Sequence, residues 1–127
     1  MPLVRVSLVE GTPDSFKKKV GDSIHQALVE TIQIPLQDRF QVFTSYSRSG
    51  FFYDAEYLNI NRTEHLVIIE ITISFGRSVE LKKALYKRIA DLLVQSVQLR
   101  PEDVFINIAE LQKENWSFGN GIAQYVT

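Results

Sequence analysis

Apolar positions along the chain fall into the same pattern twice. Leu3-Val4-Arg5-Val6-Ser7-Leu8-Val9 and Leu66-Val67-Ile68-Ile69-Glu70-Ile71-Thr72-Ile73 are short runs rich in β-branched residues, and a Gly follows shortly after each. Both read as strands. The second is apolar at most positions, which predicts a central strand covered on both faces. A helical stripe follows each strand. Phe16, Val20, Ile24, Ala27 and Leu28 form the first, and Leu81, Leu85, Ile89, Leu92 and Leu93 the second. Both carry i, i+4, i+8, i+11, i+12 spacing, which places one apolar face on a core. Thr12 reads as the first N-cap with Pro13 at the first helical position, and the second helix reads as starting near Ser78. Proline-containing turns come next, Ile34–Asp38 and Leu99–Asp103. Phe40–Tyr46 and Val104–Glu110 then read as closing strands.

The two halves align without a gap at a spacing of 65 residues. Nine of the 42 pairs between 2–43 and 67–108 are identical, among them Gly11/Gly76, Gln33/Gln98 and Asp38/Asp103. Average composition would give about two or three. The chain therefore reads as one domain over 1–127, with pseudo-repeats 2–46 and 66–110 and an extension 111–127. A strand–helix–strand crossover makes a parallel pair and is right-handed. Two such units predict an α/β fold: a four-stranded mixed sheet with both helices on one face. The other face lacks a cover, which predicts oligomerisation. Residues 47–63 join the halves; Phe51-Phe52-Tyr53 is too apolar for a free linker and is expected to pack. The extension, with Asn115-Trp116-Ser117-Phe118-Gly119-Asn120-Gly121, reads as a turn with a short strand or hairpin.

Composition narrows the chemistry. Lys and Arg total 14 against 15 Asp and Glu, for a net charge of −1. That balance argues against nucleic-acid binding, which needs a basic stripe. Cysteine is absent, which removes disulfides, thiolate nucleophiles and Cys-ligated metals. Two histidines, His25 and His65, are too few for a His-built metal site. No metal and no cofactor is expected. No apolar run is long enough to span a membrane and no signal peptide is evident, so the expected compartment is the cytoplasm. Gly119-Asn120-Gly121 has no helix after it and reads as a turn rather than a phosphate loop. Lys17-Lys18-Lys19 and Lys82-Lys83 read as solvated helix faces, Asp38 and Asp103 as turn residues, and Trp116 and Phe118 as core or interface aromatics.

Pro2, directly after Met1, has two readings. It starts an edge strand, where its missing N–H costs nothing. Alternatively, trimming of Met1 exposes a secondary amine whose pKa responds to burial and charge. Met1-Pro2-Leu3 with Val9-Glu10-Gly11, Ile34–Gln41, Asn61–Val67, Lys82–Tyr86 and Asn115–Gly121 together resemble the tautomerase superfamily, and within it the malonate semialdehyde decarboxylase family. The resemblance implies the tautomerase/MIF-like fold and a homotrimer. It implies that Pro2 is the base or acid, that Asp38 orients water or tunes Pro2, and that Arg77 holds a substrate carboxylate. Trp116 and Phe118 match an apolar stretch lining the pocket. The family's first carboxylate-binding arginine falls on Phe75, a departure that leaves a less cationic pocket. Decarboxylation loses one of two cations this way, whereas tautomerisation needs one carboxylate anchor and a proton-shuttling amine. The expectation is keto–enol tautomerisation of a small 2-oxo acid, aryl acids included. A decarboxylase or hydratase of 3-oxo acids is the alternative, and a non-catalytic binding or oligomerisation module the second.

Overall fold

The computed structural model describes residues 1–126. Strand β1 (Pro2–Val9) leads to helix α1 (Asp14–Ile32) and strand β2 (Gln41–Tyr46); β3 (Val67–Ser74), α2 (Val79–Val97) and β4 (Val104–Leu111) repeat the order. The sheet runs β2-β1-β3-β4. Each half contributes a parallel pair, β1/β2 and β3/β4, and the halves meet through the antiparallel pair β1/β3.

Strand alternation sorts the residues by face. Val4, Val6 and Leu8 of β1 and Ile69, Ile71 and Ile73 of β3 are buried against Ile24 and Leu28 of α1 and Leu85, Ile89 and Leu93 of α2. Each such aliphatic side chain removed from water stabilises the fold by about 1.5–3 kcal/mol. The reverse face carries Arg5, Val42, Thr44, Glu70, Phe105 and Asn107, all exposed. β3 is thus central, but a single chain covers only one of its faces.

The helices begin differently and end alike. Ser78 caps α2 as its spacing predicts, accepting the Leu81 N–H at 3.2 Å. Thr12 does not cap α1. Its hydroxyl donates back to the Val9 carbonyl at 2.9 Å, and extended Pro13 is the cap residue, so the helix starts at Asp14. Both helices stop on a glutamine in the left-handed region, Gln33 (φ 58°) and Gln98 (φ 55°), which turns the chain out of the helix as a C-terminal glycine would.

The extension has the expected turn but no strand or hairpin among the described residues. It forms a 3₁₀ turn at Lys113–Asn115 and then irregular turns through Gly119, Asn120 and Gly121, all at positive φ. That backbone lies outside the extended region a strand requires. Thr127 lies outside the described residues. In the joining segment Phe51 packs between Tyr46 and Tyr53, with ring centroids 6.3 and 6.2 Å away, while Phe52 is 86% exposed.

Asp103 is more than a turn residue. It is completely buried and accepts the Thr63 N–H at 2.7 Å and the Thr63 hydroxyl at 2.6 Å, tying the segment before β3 to the turn before β4. Asp103→Ala leaves a buried N–H and hydroxyl without their charged acceptor. It is expected to lower unfolding free energy in a urea titration by about 3 kcal/mol.

Candidate active site

The antiparallel register of β1 and β3 brings the start of the chain to the loop after β3. Pro2 is buried and sits opposite Ile73, two residues before Phe75. The loop that follows is held from β4: the Phe75 N–H donates to the Leu111 carbonyl at 2.8 Å. Glu110 accepts the Gly76 N–H at 3.4 Å while paired with Lys82 at 2.8 Å. The Lys82 bond, first of several causes, holds the Glu110 carboxyl below its usual range. Lys82 is therefore half-buried at the floor of this loop and not a solvated lysine like Lys83. Arg77 fixes its own side chain by donating from Nη1 to the Ser74 carbonyl at 2.9 Å.

Asp38, on the turn between α1 and β2, faces the same place. Its Oδ2 lies 3.5 Å from the Met1 amino group. That amine is pushed below the usual α-amine range, first by burial. The Asp38 charge and hydrogen bond oppose the shift, and the Arg77 charge adds to it. Two like charges disfavour each other, and an opposite charge favours ionisation. Asp38 and Asp103 hold equivalent places in the two halves, yet one meets the chain terminus and the other Thr63.

The extension supplies an aromatic wall. Trp116 stacks on Phe118 with centroids 5.4 Å apart and planes 21° apart; Tyr125 meets Phe118 edge-on at 4.8 Å. Burial, then the Asp38 charge, pushes the Tyr125 hydroxyl above the usual phenol range against the opposing pull of Arg77. Tyr125 therefore stands within the field of both charged groups. Its position is fixed by a ring contact within the irregular extension, a relation that no spacing in the sequence announces. Phe75 is 63% exposed on the loop beside Arg77. Among the described residues, three buried side-chain polar atoms lack a hydrogen-bond partner: Asp38 Oδ1, Ser74 Oγ and Trp116 Nε1. Two belong to this constellation, and Ser74 carries the carbonyl that holds Arg77.

Proteins of known sequence and structure resemble this chain over nearly its whole length. Two family models, each described as tautomerase enzyme, match residues 38–119 and 2–52. The chain belongs to the tautomerase family. Probable tautomerase YusQ of Bacillus subtilis is 44% identical over 126 residues, 99% of each chain. The solved structure of FG41 malonate semialdehyde decarboxylase inhibited by 3-bromopropiolate superposes with a TM-score of 0.91 and 35% identity, over 98% of this chain and 94% of that one. A symmetric trimer of fused 4-OT shares the fold, with a TM-score of 0.78 and 21% identity over 94% of both chains.

The remaining sequence candidates lie apart from this tautomerase-family constellation. His25 is buried on α1 with Nε2 at 2.7 Å from the Leu36 carbonyl, and His65 is an exposed loop residue. A cavity of about 410 Å³ lies at the opposite end of β1 and β3, between Gly11, Phe16, His65, Leu99 and Asp103. Its aspartate is already committed to Thr63. No group of three or more His, Asp or Glu among the described residues is gathered to hold a metal ion. No helix among them is long and apolar enough to cross a membrane.

Proposed function

We propose that this tautomerase-family enzyme interconverts the enol and keto forms of a small 2-oxo carboxylic acid, with the amine of Pro2 as proton shuttle. The observation that carries the reading is the convergence on the chain terminus: a half-buried Met1 amino group with Asp38 at 3.5 Å, its pKa lowered by burial and by the Arg77 charge. Loss of Met1 moves the free amine one residue along, to the Pro2 nitrogen at the head of β1. A secondary amine held below its usual pKa is neutral in a larger fraction of molecules near pH 7, which a general base requires. In the enol-to-keto direction the amine takes the enol O–H proton, directly or through Asp38. The electron pair of that O–H bond forms the C2 carbonyl, and the C2=C3 pair takes a proton at C3 from the ammonium so formed, which returns the amine to its neutral state. Arg77 pairs with the substrate carboxylate through its planar fork. Phe75, Trp116 and Phe118 line an apolar wall suited to an aryl or alkyl group at C3.

Likeness to a malonate semialdehyde decarboxylase at 35% identity favours one second reading, decarboxylation or hydration of a 3-oxo acid. Phe75 in place of a cation weighs against it, because the departing carboxylate would then meet Arg77 alone. Offering the purified chain phenylenolpyruvate and malonate semialdehyde in parallel separates the two. Loss of the enol absorbance with little acetaldehyde is the expected result; efficient acetaldehyde release reverses the order of the readings.

The same proposal includes a homotrimer in the cytoplasm, with the exposed reverse faces of three sheets packed together. Apolar Val42, Phe105 and half-buried Leu3 and Ile68 on that face support it, since an antiparallel-containing sheet is stable when its second apolar face is covered.

A further inference from the structure

We propose that the indole Nε1–H of Trp116 is the hydrogen-bond donor to the substrate's C2 oxygen. The inference deepens the oxo-acid reading and rests on it. Three observations carry it. The Trp116 Nε1 atom is buried and has no partner among the described residues, although buried indole N–H groups ordinarily find one. The ring is not free to seek an acceptor elsewhere, because it is stacked on Phe118, which in turn is held edge-on by Tyr125. Finally, β4 ends at Leu111, which pairs with Ser74 and accepts the Phe75 N–H at 2.8 Å, so the extension that carries this stack leaves the sheet at the loop of Arg77; the charges of Asp38 and Arg77 both reach Tyr125.

The donor count leaves a gap that Trp116 fills. A 2-oxo acid presents a carboxylate and a C2 oxygen. Arg77 already spends one Nη1 hydrogen on the Ser74 carbonyl, and its remaining fork suits the carboxylate. Phe75 offers the C2 oxygen nothing. An indole N–H donates and never accepts, so it binds the oxygen in either the keto or the enol form. Being neutral, it binds the C2 oxygen without drawing it toward the full negative charge that decarboxylation through an enolate demands.

Trp116 is the only tryptophan, so ¹⁵N-labelled full-length protein gives a single indole N–H cross-peak. It is titrated with phenylpyruvate and with 3-phenylpropionate, which shares the ring and carboxylate but has no oxygen at C2. The indole proton is expected to move downfield with phenylpyruvate by clearly more than with 3-phenylpropionate. Calorimetry on Trp116→Phe, which keeps an aromatic ring on Phe118 and deletes the N–H, is expected to weaken phenylpyruvate about 10-fold. 3-Phenylpropionate is expected to change by less than about twofold, since it makes no such bond. Equal movement of the cross-peak with both ligands overturns the proposal however the variant folds, and so does an equal loss of affinity for both. Wild-type protein that fails to turn over phenylenolpyruvate overturns the oxo-acid reading and this donor with it. Turnover with no selectivity for the C2 oxygen overturns the donor alone.

Discussion

Pro2→Ala lowers kcat/KM for phenylenolpyruvate by about 10²-fold or more, the lower end of what a positioned acid–base group contributes. The variant still exposes an amine after Met1 is trimmed, since Ala is also small, so the loss measures what proline adds. Proline fixes φ near −65° and presents a secondary amine with one lone pair direction. Here that ring is buried at the head of β1, opposite Ile73, so its nitrogen has one place to be. Alanine in the same place carries a primary amine that rotates and is more readily solvated. The variant stays folded, with a stability loss no larger than two buried methylenes account for, about 0.8 kcal/mol each. Activity within twofold of wild type rules out proline as the shuttle.

Arg77→Ala raises KM for the same substrate by about 10–10²-fold, the loss of a charge-assisted bidentate pair in a partly buried site. It also moves the acid limb of the kcat/KM profile. The working form of the amine is neutral, so activity rises with pH through its pKa. On the Met1 amine burial lowers the pKa first, Asp38 opposes the shift and Arg77 reinforces it; the Pro2 amine, one residue along, is expected to feel the same two charges with the same signs. Removing Arg77 therefore raises the pKa and shifts the rising limb to higher pH. Asp38→Asn removes the opposing charge and shifts the limb to lower pH. Arg77→Lys keeps the charge and loses the fork, so it raises KM while leaving the limb near its wild-type position. Pre-steady-state and steady-state pH profiles of the three variants check the signs together. Displacement of both limbs in one direction contradicts the electrostatic account.

The strands and helices were legible because each carries a stripe that only one regular structure buries. Val4, Val6 and Leu8 alternate, and Ile24 and Leu28 or Ile89 and Leu93 recur at helical spacing. The 65-residue echo then fixed the number of units, and the antiparallel meeting of β1 with β3 put Pro2 opposite Ile73, two residues before Phe75. What failed was local chemistry with two satisfactory outcomes. Thr12 has the side chain of a cap, but its hydroxyl found the Val9 carbonyl instead. Trp116 and Phe118 have the β-propensity of a strand, yet three consecutive positive-φ residues at 119–121 and the ring contacts with Tyr125 impose turns. Asp38 and Asp103 share a place in the repeat and diverged in partner, which depends on what precedes each strand. For β1 that is the chain terminus; for β3 it is Thr63. Arg77, Asp38 and Pro2 came from family resemblance, and Tyr125 and the unpartnered indole of Trp116 came only from the folded molecule.

The account's central claim is that the working amine belongs to Pro2 and exists only after Met1 has gone. Intact mass spectrometry of the purified chain, read beside phenylenolpyruvate turnover in preparations that retain Met1 to different extents, tests it most directly. The account predicts turnover in proportion to the fraction of chains that lack Met1. Full turnover by chains that keep Met1 would contradict it.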